Sequence, residues 1–234
     1  MPGASSFFEG DHIMQYKAII FDADGTLIDS IGDLTDSGNR LLAEYGRQPH
    51  TREEVCYLVG NGSRVYVERI LPDFDVKQID NALERYKEIY EAHKFDTTAP
   101  YDGIVPMINQ LKKQGVKIAV FTNKHVEAAR QLINRFFPEG TFAMIIGDMP
   151  GVLLKPAPDT ALAIAEKLGV LPSECAFMGD TWMDMETAVS AGMLPVGVLW
   201  GFRTREELES HGGKVILSKP EELLQKVDFV KLNK

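Results

Sequence analysis

Residues 17–30 of the chain read Lys-Ala-Ile-Ile-Phe-Asp-Ala-Asp-Gly-Thr-Leu-Ile-Asp-Ser. The short apolar run at 18–21, β-branched at its centre, predicts a buried strand of a parallel sheet. Asp22 and Asp24 follow at once, and residues two apart in an extended chain point to the same side. The strand therefore brings two carboxylates to its carboxyl end, where open α/β sheets bind ligands, and Gly25 lets the chain turn away.

This stretch also has a plainer interpretation. Asp and Gly are ordinary turn formers, so Asp22 and Asp24 would then bond only to their own backbone. Two carboxylates so close together repel each other unless a cation or a proton relieves them. Neither interpretation is preferred on this stretch alone, and the rest of the chain has to separate them.

Strand and helix patterns alternate after Asp102. Apolar runs predict strands at 116–121, 142–146, 175–178, 194–199 and near 215–216. Helical spacings are found at 104–113, 126–137, 159–168, 183–191, near 206 and from 221 onward. This alternation predicts right-handed βαβ units and a doubly wound, Rossmann-like α/β core on a parallel sheet.

Residues 31–95 show helical periodicity and no strand pattern. Leu34, Leu41 and Tyr45 recur at helical spacing, and three further helices are expected before residue 95. We therefore predict a small all-helical domain, inserted after the first strand. The predicted boundaries are 1–14 for a poorly ordered N-terminal tail, 15–30 and 96–234 for the core, and 31–95 for the helical insertion.

Composition narrows the class of protein. The chain has 234 residues with 25 basic and 34 acidic side chains, a formal net charge of −9. We expect no nucleic-acid partner, because basic patches hold nucleic-acid backbones. Cys56 and Cys175 form no CxxC pattern, which predicts neither a disulfide framework nor a zinc site and favours a reducing cytoplasm. No apolar run is long enough to span a bilayer, so no membrane partner is expected; a monomer and a homodimer both remain open.

Three more predicted strand ends carry polar side chains. Thr122 and Asn123 precede a helix, whose N–H groups favour anions, although either residue could simply cap that helix. Lys155 lies on a loop stiffened by prolines, although a solvated lysine is the commoner case. Asp180 ends a strand and Asp184 follows one helical turn later, although both also suit the start of a helix.

If these strand ends meet, four carboxylates share one site with a single lysine. Sites built from carboxylate oxygens and water suit Mg²⁺, and no His or Cys is near enough in the pattern to favour zinc. Asp24 could hold a proton, as a general acid must. A phosphate group would then be held by the metal, by Lys155, by Thr122 and by backbone N–H groups.

Four motifs, each at a predicted strand end, resemble those of the haloacid dehalogenase-like superfamily. They are Phe21-Asp22-Ala23-Asp24-Gly25-Thr26-Leu27, Thr122-Asn123, Lys155-Pro156, and Gly179-Asp180 followed by Asp184. The resemblance covers nearly the whole chain after Met14, and the helical insertion is similar to that superfamily's small cap. Val59-Gly60-Asn61-Gly62 and Asn123-Lys124 are most similar to the phosphoglycolate phosphatases.

The resemblance implies a role for each motif residue in phosphoryl transfer. Asp22 would be the nucleophile and form an aspartyl-phosphate, which splits one hard step into two. Asp24 would protonate the leaving oxygen and then activate water. Thr122 and Asn123 would bind the phosphoryl group, while Lys155 would neutralise it and orient Asp22.

The resemblance also implies the Mg²⁺ ligands. They would be Asp22, the backbone carbonyl of Asp24, and Asp180, with Asp184 as a further ligand or as a support. The presence of Asp24 argues against a dehalogenase, whose chemistry has no alkoxide to protonate. Arg64 would contact a carboxylate of the substrate from the cap, although a solvated surface arginine is the plainer interpretation.

The sequence thus predicts a Mg²⁺-dependent phosphatase of small phosphorylated metabolites, similar to a phosphoglycolate phosphatase. A phosphomutase resembling β-phosphoglucomutase and a non-catalytic module that binds phosphorylated ligands are the alternatives. Two departures from the family pattern leave the substrate open. Ala23 is smaller than usual, and Asp102 replaces a proline where its charge would disfavour a second anion.

Overall fold

The computed structural model of the chain describes residues 15–230. The tail predicted at 1–14 therefore lies outside the described residues. Among the helices at 15–230, none has the length and apolar character needed to cross a membrane.

A parallel sheet of six strands forms the centre of the fold. The strands in chain order are β1 (Ala18–Phe21), β2 (Ile28–Asp29), β3 (Ala99–Pro100), β4 (Lys117–His125), β5 (Ile145–Asp148), β6 (Cys175–Gly179), β7 (Leu194–Val198) and β8 (Val215–Leu217). The sheet order is β5-β4-β1-β6-β7-β8, and all neighbours in it are parallel. Strand β1 is therefore central, with β4 on one side and β6 on the other.

Helices cover both faces of this sheet. The helices are α1 (Ile31–Glu44), α2 (Arg52–Leu58), α3 (Ser63–Ile70), α4 (Val76–His93), α5 (Ile104–Gln114), α6 (Val126–Phe136), α7 (Asp159–Leu168), α8 (Trp182–Ser190), α9 (Arg205–Ser210) and α10 (Leu223–Lys226). Side chains of β1 alternate between two apolar clusters: Ile19 and Phe21 pack against α5 and α6, while Ala18 and Ile20 pack against α7 and α8. The predicted doubly wound α/β core is confirmed.

Helices α1 to α4 follow β2 and pack around an apolar cluster of their own. Leu41, Val67 and Tyr86 lie in this cluster, and Ala128 and Phe202 join it from outside the insertion. An amphipathic helix must bury its apolar face against another element. The insertion therefore has a separate core that meets the sheet domain along one face.

Two short strands tie the insertion to the sheet domain. Strand β2 runs into the insertion, β3 runs out of it, and the two pair antiparallel. Asp33, at the start of α1, is buried and accepts hydrogen bonds from the backbone N–H and the hydroxyl of both Thr97 and Thr98 at 2.5–2.9 Å. Although burial opposes it, these four bonds lower the pKa of Asp33. One carboxylate thus joins the two chain crossings.

We expect Asp33→Asn to destabilise the fold by about 2–3 kcal/mol, because an amide nitrogen would face donors that now bond to a carboxylate. A carboxyl with a lowered pKa stabilises the fold above its unfolded pKa of about 3.9, and this contribution is lost as the pH falls. The difference in the free energy of unfolding between variant and wild type, measured with urea, should therefore become smaller toward acid pH. Asp36→Asn, at an exposed position of the same helix, is the matched control. Equal unfolding midpoints for Asp33→Asn and wild type at neutral pH would contradict this.

The largest differences from the predicted strand boundaries are in β4 and β5. Strand β5 begins at Ile145 rather than Phe142, since Phe142 reaches the core from the preceding loop and packs edge-on against Phe21 and Phe137. Strand β4 continues to His125 rather than ending at residue 121. Thr122 and Asn123 consequently belong to the strand itself.

Candidate active site

The polar residues of the motifs meet at the carboxyl edge of the central strands. Asp22 directly follows β1, Thr122 lies near the end of β4, and Asp180 directly follows β6. Because these strands are parallel neighbours, their carboxyl ends lie side by side. The ordinary-turn interpretation of the first motif does not account for this convergence.

Three buried carboxylates form the centre of the site. One oxygen each of Asp22, Asp180 and Asp184 lies within 4.8 Å of the others. Asp180 accepts hydrogen bonds from the Thr26 hydroxyl at 3.1 Å and from the Phe202 backbone N–H at 2.8 Å. The cluster offers only oxygen atoms, which is the ligand set that hard divalent cations prefer.

Lys155 is the cation within this cluster. Its Nζ lies 2.6 Å from Asp184 Oδ1, to which it donates a hydrogen bond, and 2.8 Å from Asp22 Oδ1. The contact with Asp22 is an ion pair without hydrogen-bond alignment, so Asp22 Oδ1 has no hydrogen-bond donor among residues 15–230. Burial acts to lower the pKa of Lys155, but Asp184 and Asp22 outweigh it and raise that pKa. Lys155 therefore remains charged.

One lysine does not neutralise this cluster. Burial, opposed by Lys155, raises the pKa of Asp22 to about 6. Burial and the neighbouring Asp184 and Asp22 raise the pKa of Asp180 well above its ordinary value. Buried carboxylates that are ionised together need a further positive charge. The cluster is therefore suited to a divalent cation, which Asp22, Asp180 and Asp184 would hold through their carboxylates.

Asp184 also stabilises the start of helix α8. Its Oδ2 accepts from the Thr181 backbone N–H at 2.9 Å and from the Thr181 hydroxyl at 2.7 Å, so a carboxylate in the first turn of the helix bonds back to the N-cap residue. Thr181, rather than Asp180, is the N-cap residue. The capping alternative thus holds for Asp184, which uses its other oxygen for Lys155, and is wrong for Asp180.

Gly25 is required beside the cluster. Its φ of +79° is in the left-handed region, and a Cβ at this position would overlap the Asp180 carboxylate. The turn predicted after the paired carboxylates therefore also makes room for a carboxylate from another strand.

Asp24 is half-buried and lies outside the triad of carboxylates. Its Oδ1 accepts a hydrogen bond from the Ser30 hydroxyl at 2.6 Å, and its Oδ2 accepts one from Lys124 Nζ at 2.7 Å. Its side chain is thus free of the cluster formed by Asp22 and its neighbours. The sequence pattern Asn123-Lys124 indicates the family but predicts no role for Lys124.

The side chain of Asn123 forms hydrogen bonds within the protein, to the backbone of two loops. Its Nδ2 donates to the backbone carbonyls of Lys155 and Gly60, both at 3.1 Å, and its Oδ1 accepts from the Lys155 backbone N–H at 2.9 Å. Thr122 is buried beside it, and helix α6 begins at Val126 with His125 as its N-cap residue. The alternative that Thr122 or Asn123 caps this helix is therefore wrong.

A cavity of about 390 Å³ lies between the helical insertion and this edge of the sheet. On the sheet side its lining includes Asp22, Asp24, Thr122, Asn123 and Lys124, and on the insertion side Leu34, Val59, Tyr66, Tyr86 and Tyr90. Tyr90 Oη is buried and has no hydrogen-bond partner among the described residues. Burial raises the pKa of Tyr90, so this hydroxyl keeps its proton.

Arg64 does not reach the cavity. It is exposed on α3, pairs with Glu68 and Asp80, and lines a separate recess of the insertion. The predicted contact between Arg64 and the substrate is not supported by this arrangement. Asp102 is likewise exposed and absent from the residues that line the cavity, so its charge does not stand at the site.

Comparisons with known proteins agree on one family. The family model of haloacid dehalogenase-like hydrolases matches residues 19–198. Phosphoglycolate phosphatase of Xylella fastidiosa is 31% identical over 82% of this chain and 83% of its own length. N-acetylmuramic acid 6-phosphate phosphatase of Pseudomonas aeruginosa is 29% identical over 92% of this chain and 96% of its own.

A solved structure from Lactobacillus delbrueckii subsp. bulgaricus, assigned to the phosphoglycolate phosphatases, has the same fold. It superimposes with a TM-score of 0.85 and 33% identity, over 90% of this chain and 97% of the other. The residues matched by the family model include β1, β4, β6 and the buried carboxylate cluster. The chain therefore belongs to the haloacid dehalogenase-like hydrolases.

Proposed function

We propose that this protein is a Mg²⁺-dependent phosphatase, which hydrolyses small phosphate monoesters through an aspartyl-phosphate on Asp22. The observation that carries the proposal is the buried set of Asp22, Asp180, Asp184 and Lys155, of which Asp22 lines the cavity. Its chemistry suits a transferring phosphoryl group, which needs positioning and charge stabilisation above all.

Asp22 is the proposed nucleophile. Its side chain lines the cavity, and Lys155 draws Oδ1 toward the cluster. In the first step an oxygen of Asp22 forms a bond to phosphorus while the bond between phosphorus and the leaving oxygen breaks. Lys155 offsets the negative charge that Asp22 and the phosphoryl group bring together.

Asp24 is the proposed acid and base. It lies two residues from the nucleophile, lines the same cavity, and its carboxylate is held by Ser30 and Lys124. It would give a proton to the leaving oxygen in the first step. In the second step it would take one from the water that attacks phosphorus, which releases phosphate and restores Asp22.

Asp22, Asp180, Asp184 and the backbone carbonyl of Asp24 would hold the metal. The fit rests on three buried carboxylates that offer only oxygen ligands. Lys155 alone does not neutralise their negative charge, so the site has room for a further cation. Bound Mg²⁺ would neutralise charge on the phosphoryl oxygens. Thr122 and Asn123 would bind those oxygens, and Asn123 would do so through its backbone N–H because its amide is already bonded.

The curated relatives support a small phosphorylated metabolite as the substrate. Phosphoglycolate, named by one relative, is the first compound to test, and N-acetylmuramic acid 6-phosphate, named by another, is the second. A cavity of about 390 Å³ lies within the range of about 300–1,000 Å³ typical of small-molecule sites. A sugar-sized leaving group would therefore have room beneath Tyr66, Tyr86 and Tyr90.

Phosphate release from a panel of monoesters tests this function. The panel contains phosphoglycolate, N-acetylmuramic acid 6-phosphate, hexose phosphates and nitrophenyl phosphate, each assayed with Mg²⁺ and with excess chelator. We expect phosphate from at least one alkyl phosphate with Mg²⁺, and none in chelator. No phosphate from any ester, or undiminished release in chelator, would contradict the proposal. An isomeric sugar phosphate in place of free phosphate would establish the phosphomutase alternative.

A further inference from the structure

Lys124 connects the sheet domain to the helical insertion inside the cavity. It is the next-to-last residue of strand β4, and its side chain is only 7% exposed. Its Nζ donates to Asp24 Oδ2 at 2.7 Å and lies 4.7 Å from the centre of the Tyr90 ring of α4. A buried ammonium between a carboxylate and an aromatic face is held from both sides.

The two donors to Asp24 are not equivalent. Ser30, which donates to Oδ1, is completely buried and is not among the residues that line the cavity. Lys124, which donates to Oδ2, does line it. Oδ1 is thus the anchored oxygen of Asp24, and Oδ2 is the oxygen that a leaving group in the cavity would meet.

Tyr90 is held in place as a support for this ammonium. One neighbour is Tyr86, whose ring stacks on that of Tyr90 with centroids 6.0 Å apart and planes 11° from parallel. Lys124 lies over the ring as well, and both tyrosines belong to the cluster at the core of the insertion. The position of Lys124 therefore depends on how helix α4 sits against the sheet.

We propose that Lys124 is a positioning residue for the acid–base step: it holds Oδ2 of Asp24 toward the leaving oxygen, and the Tyr90 ring makes this orientation depend on α4. The inference rests on the proposed function, since it requires Asp24 to transfer protons. Lys124 and Ser30 together fix the rotation of the Asp24 carboxyl group, and Oδ2 keeps a second lone pair for the proton that the leaving oxygen receives. Asp24 passes its proton through Oδ2 while Ser30 keeps Oδ1 in place.

The test compares two leaving groups in Lys124→Met, which keeps the chain length and removes the charge. A nitrophenolate leaves with little protonation, whereas an alkoxide needs the proton. We expect kcat/KM, which reports the first step alone, to fall about tenfold or more for an alkyl phosphate of the panel relative to nitrophenyl phosphate, because an acid–base group contributes about 10²–10⁴-fold and loss of orientation removes part of that. Lys124→Arg should recover much of this ratio, and Lys113→Met, exposed on α5, should leave it unchanged.

Tyr90 variants test the dependence on helix α4. Tyr90→Phe keeps the ring beneath the ammonium and should preserve the ratio of the two kcat/KM values. Tyr90→Leu removes the ring and should lower that ratio in the same direction as Lys124→Met. If Lys124→Met does not fold, as judged by thermal unfolding, Lys124→Arg and Tyr90→Leu still carry the comparison.

Equal losses of kcat/KM on both substrates would overturn the positioning role and leave Lys124 as a substrate contact or a structural residue. A ratio unchanged in Tyr90→Leu would overturn the dependence on α4. Failure of the proposed function itself would look different, since wild type would then release no phosphate from either substrate.

Discussion

Replacing Asp22 with asparagine is expected to stop turnover, with a loss on the order of 10⁴-fold or more, because an amide cannot accept the phosphoryl group. The substitution is nearly isosteric and removes one of three buried carboxylates that repel each other. The fold should therefore be retained or even slightly stabilised, since burial, only partly opposed by Lys155, raises the pKa of Asp22 and disfavours its ionised form. A loss of activity without a loss of stability separates catalysis from folding.

The measurement is kcat on the best alkyl phosphate of the panel, together with the thermal unfolding midpoint. Asp102→Asn is the matched control, because it makes the same change at an exposed residue outside the cavity. It should leave both quantities unchanged. Substantial turnover by Asp22→Asn, after amide hydrolysis back to aspartate has been excluded by mass spectrometry, would contradict the assignment.

Replacing Asp24 with asparagine is expected to lower kcat on an alkyl phosphate by about 10²–10⁴-fold, the range for a lost acid–base group. The nucleophile remains, so the first step with nitrophenyl phosphate should largely survive. The second step still needs a base for water, and so the variant should accumulate the aspartyl-phosphate. A burst of nitrophenolate followed by slow turnover is the expected time course.

Stopped-flow absorbance records this burst. An amplitude close to one nitrophenolate per active site is expected for Asp24→Asn, and no burst for Asp22→Asn. The wild type is the control, since its second step should be fast enough to hide the burst. Equal loss on nitrophenyl and alkyl phosphates with no burst would mean that Asp24 only supports the fold or the metal.

The order of motifs predicted the central part of this site from sequence. The apolar run at 18–21 predicts the central strand, and Asp22 and Asp180 follow strands as predicted. Lys155, predicted at a strand end, lies instead in the loop between β5 and α7. Parallel strands bring their carboxyl ends together whatever their separation in the chain. Side chains more than 150 residues apart, such as those of Thr26 and Asp180, are therefore joined by topology.

The sequence does not predict the contacts that depend on how the helices of the insertion pack. Helical spacing shows that α3 and α4 are amphipathic, but it does not show which turn faces the cavity. The sequence therefore allows Arg64 to reach the substrate, whereas in the structure it pairs with Asp80 on the surface. No pattern in the sequence predicts that Tyr90 lies beside Lys124. The two-residue strands β2 and β3 are too short to show a period of two.

The side-chain partners of Asn123 were also hidden. An amide at a strand end suggests a ligand contact, but this amide bonds to the backbone of Lys155 and of Gly60. Its position next to the site was predictable, whereas its partners depend on how two loops approach it. The sequence predicts which residues converge better than it predicts which atoms remain free.

Labelling of the phosphoenzyme tests the central claim most directly. Asp24→Asn, wild type and Asp22→Asn are mixed with a ³²P-labelled monoester and Mg²⁺, quenched in acid, and digested for peptide mapping. The account predicts label on the peptide that contains Asp22, most in Asp24→Asn, none in Asp22→Asn, and release of the label by hydroxylamine, as expected of an acyl phosphate. Label on another residue, or its complete absence from Asp24→Asn while wild type releases phosphate, would contradict an aspartyl-phosphate on Asp22.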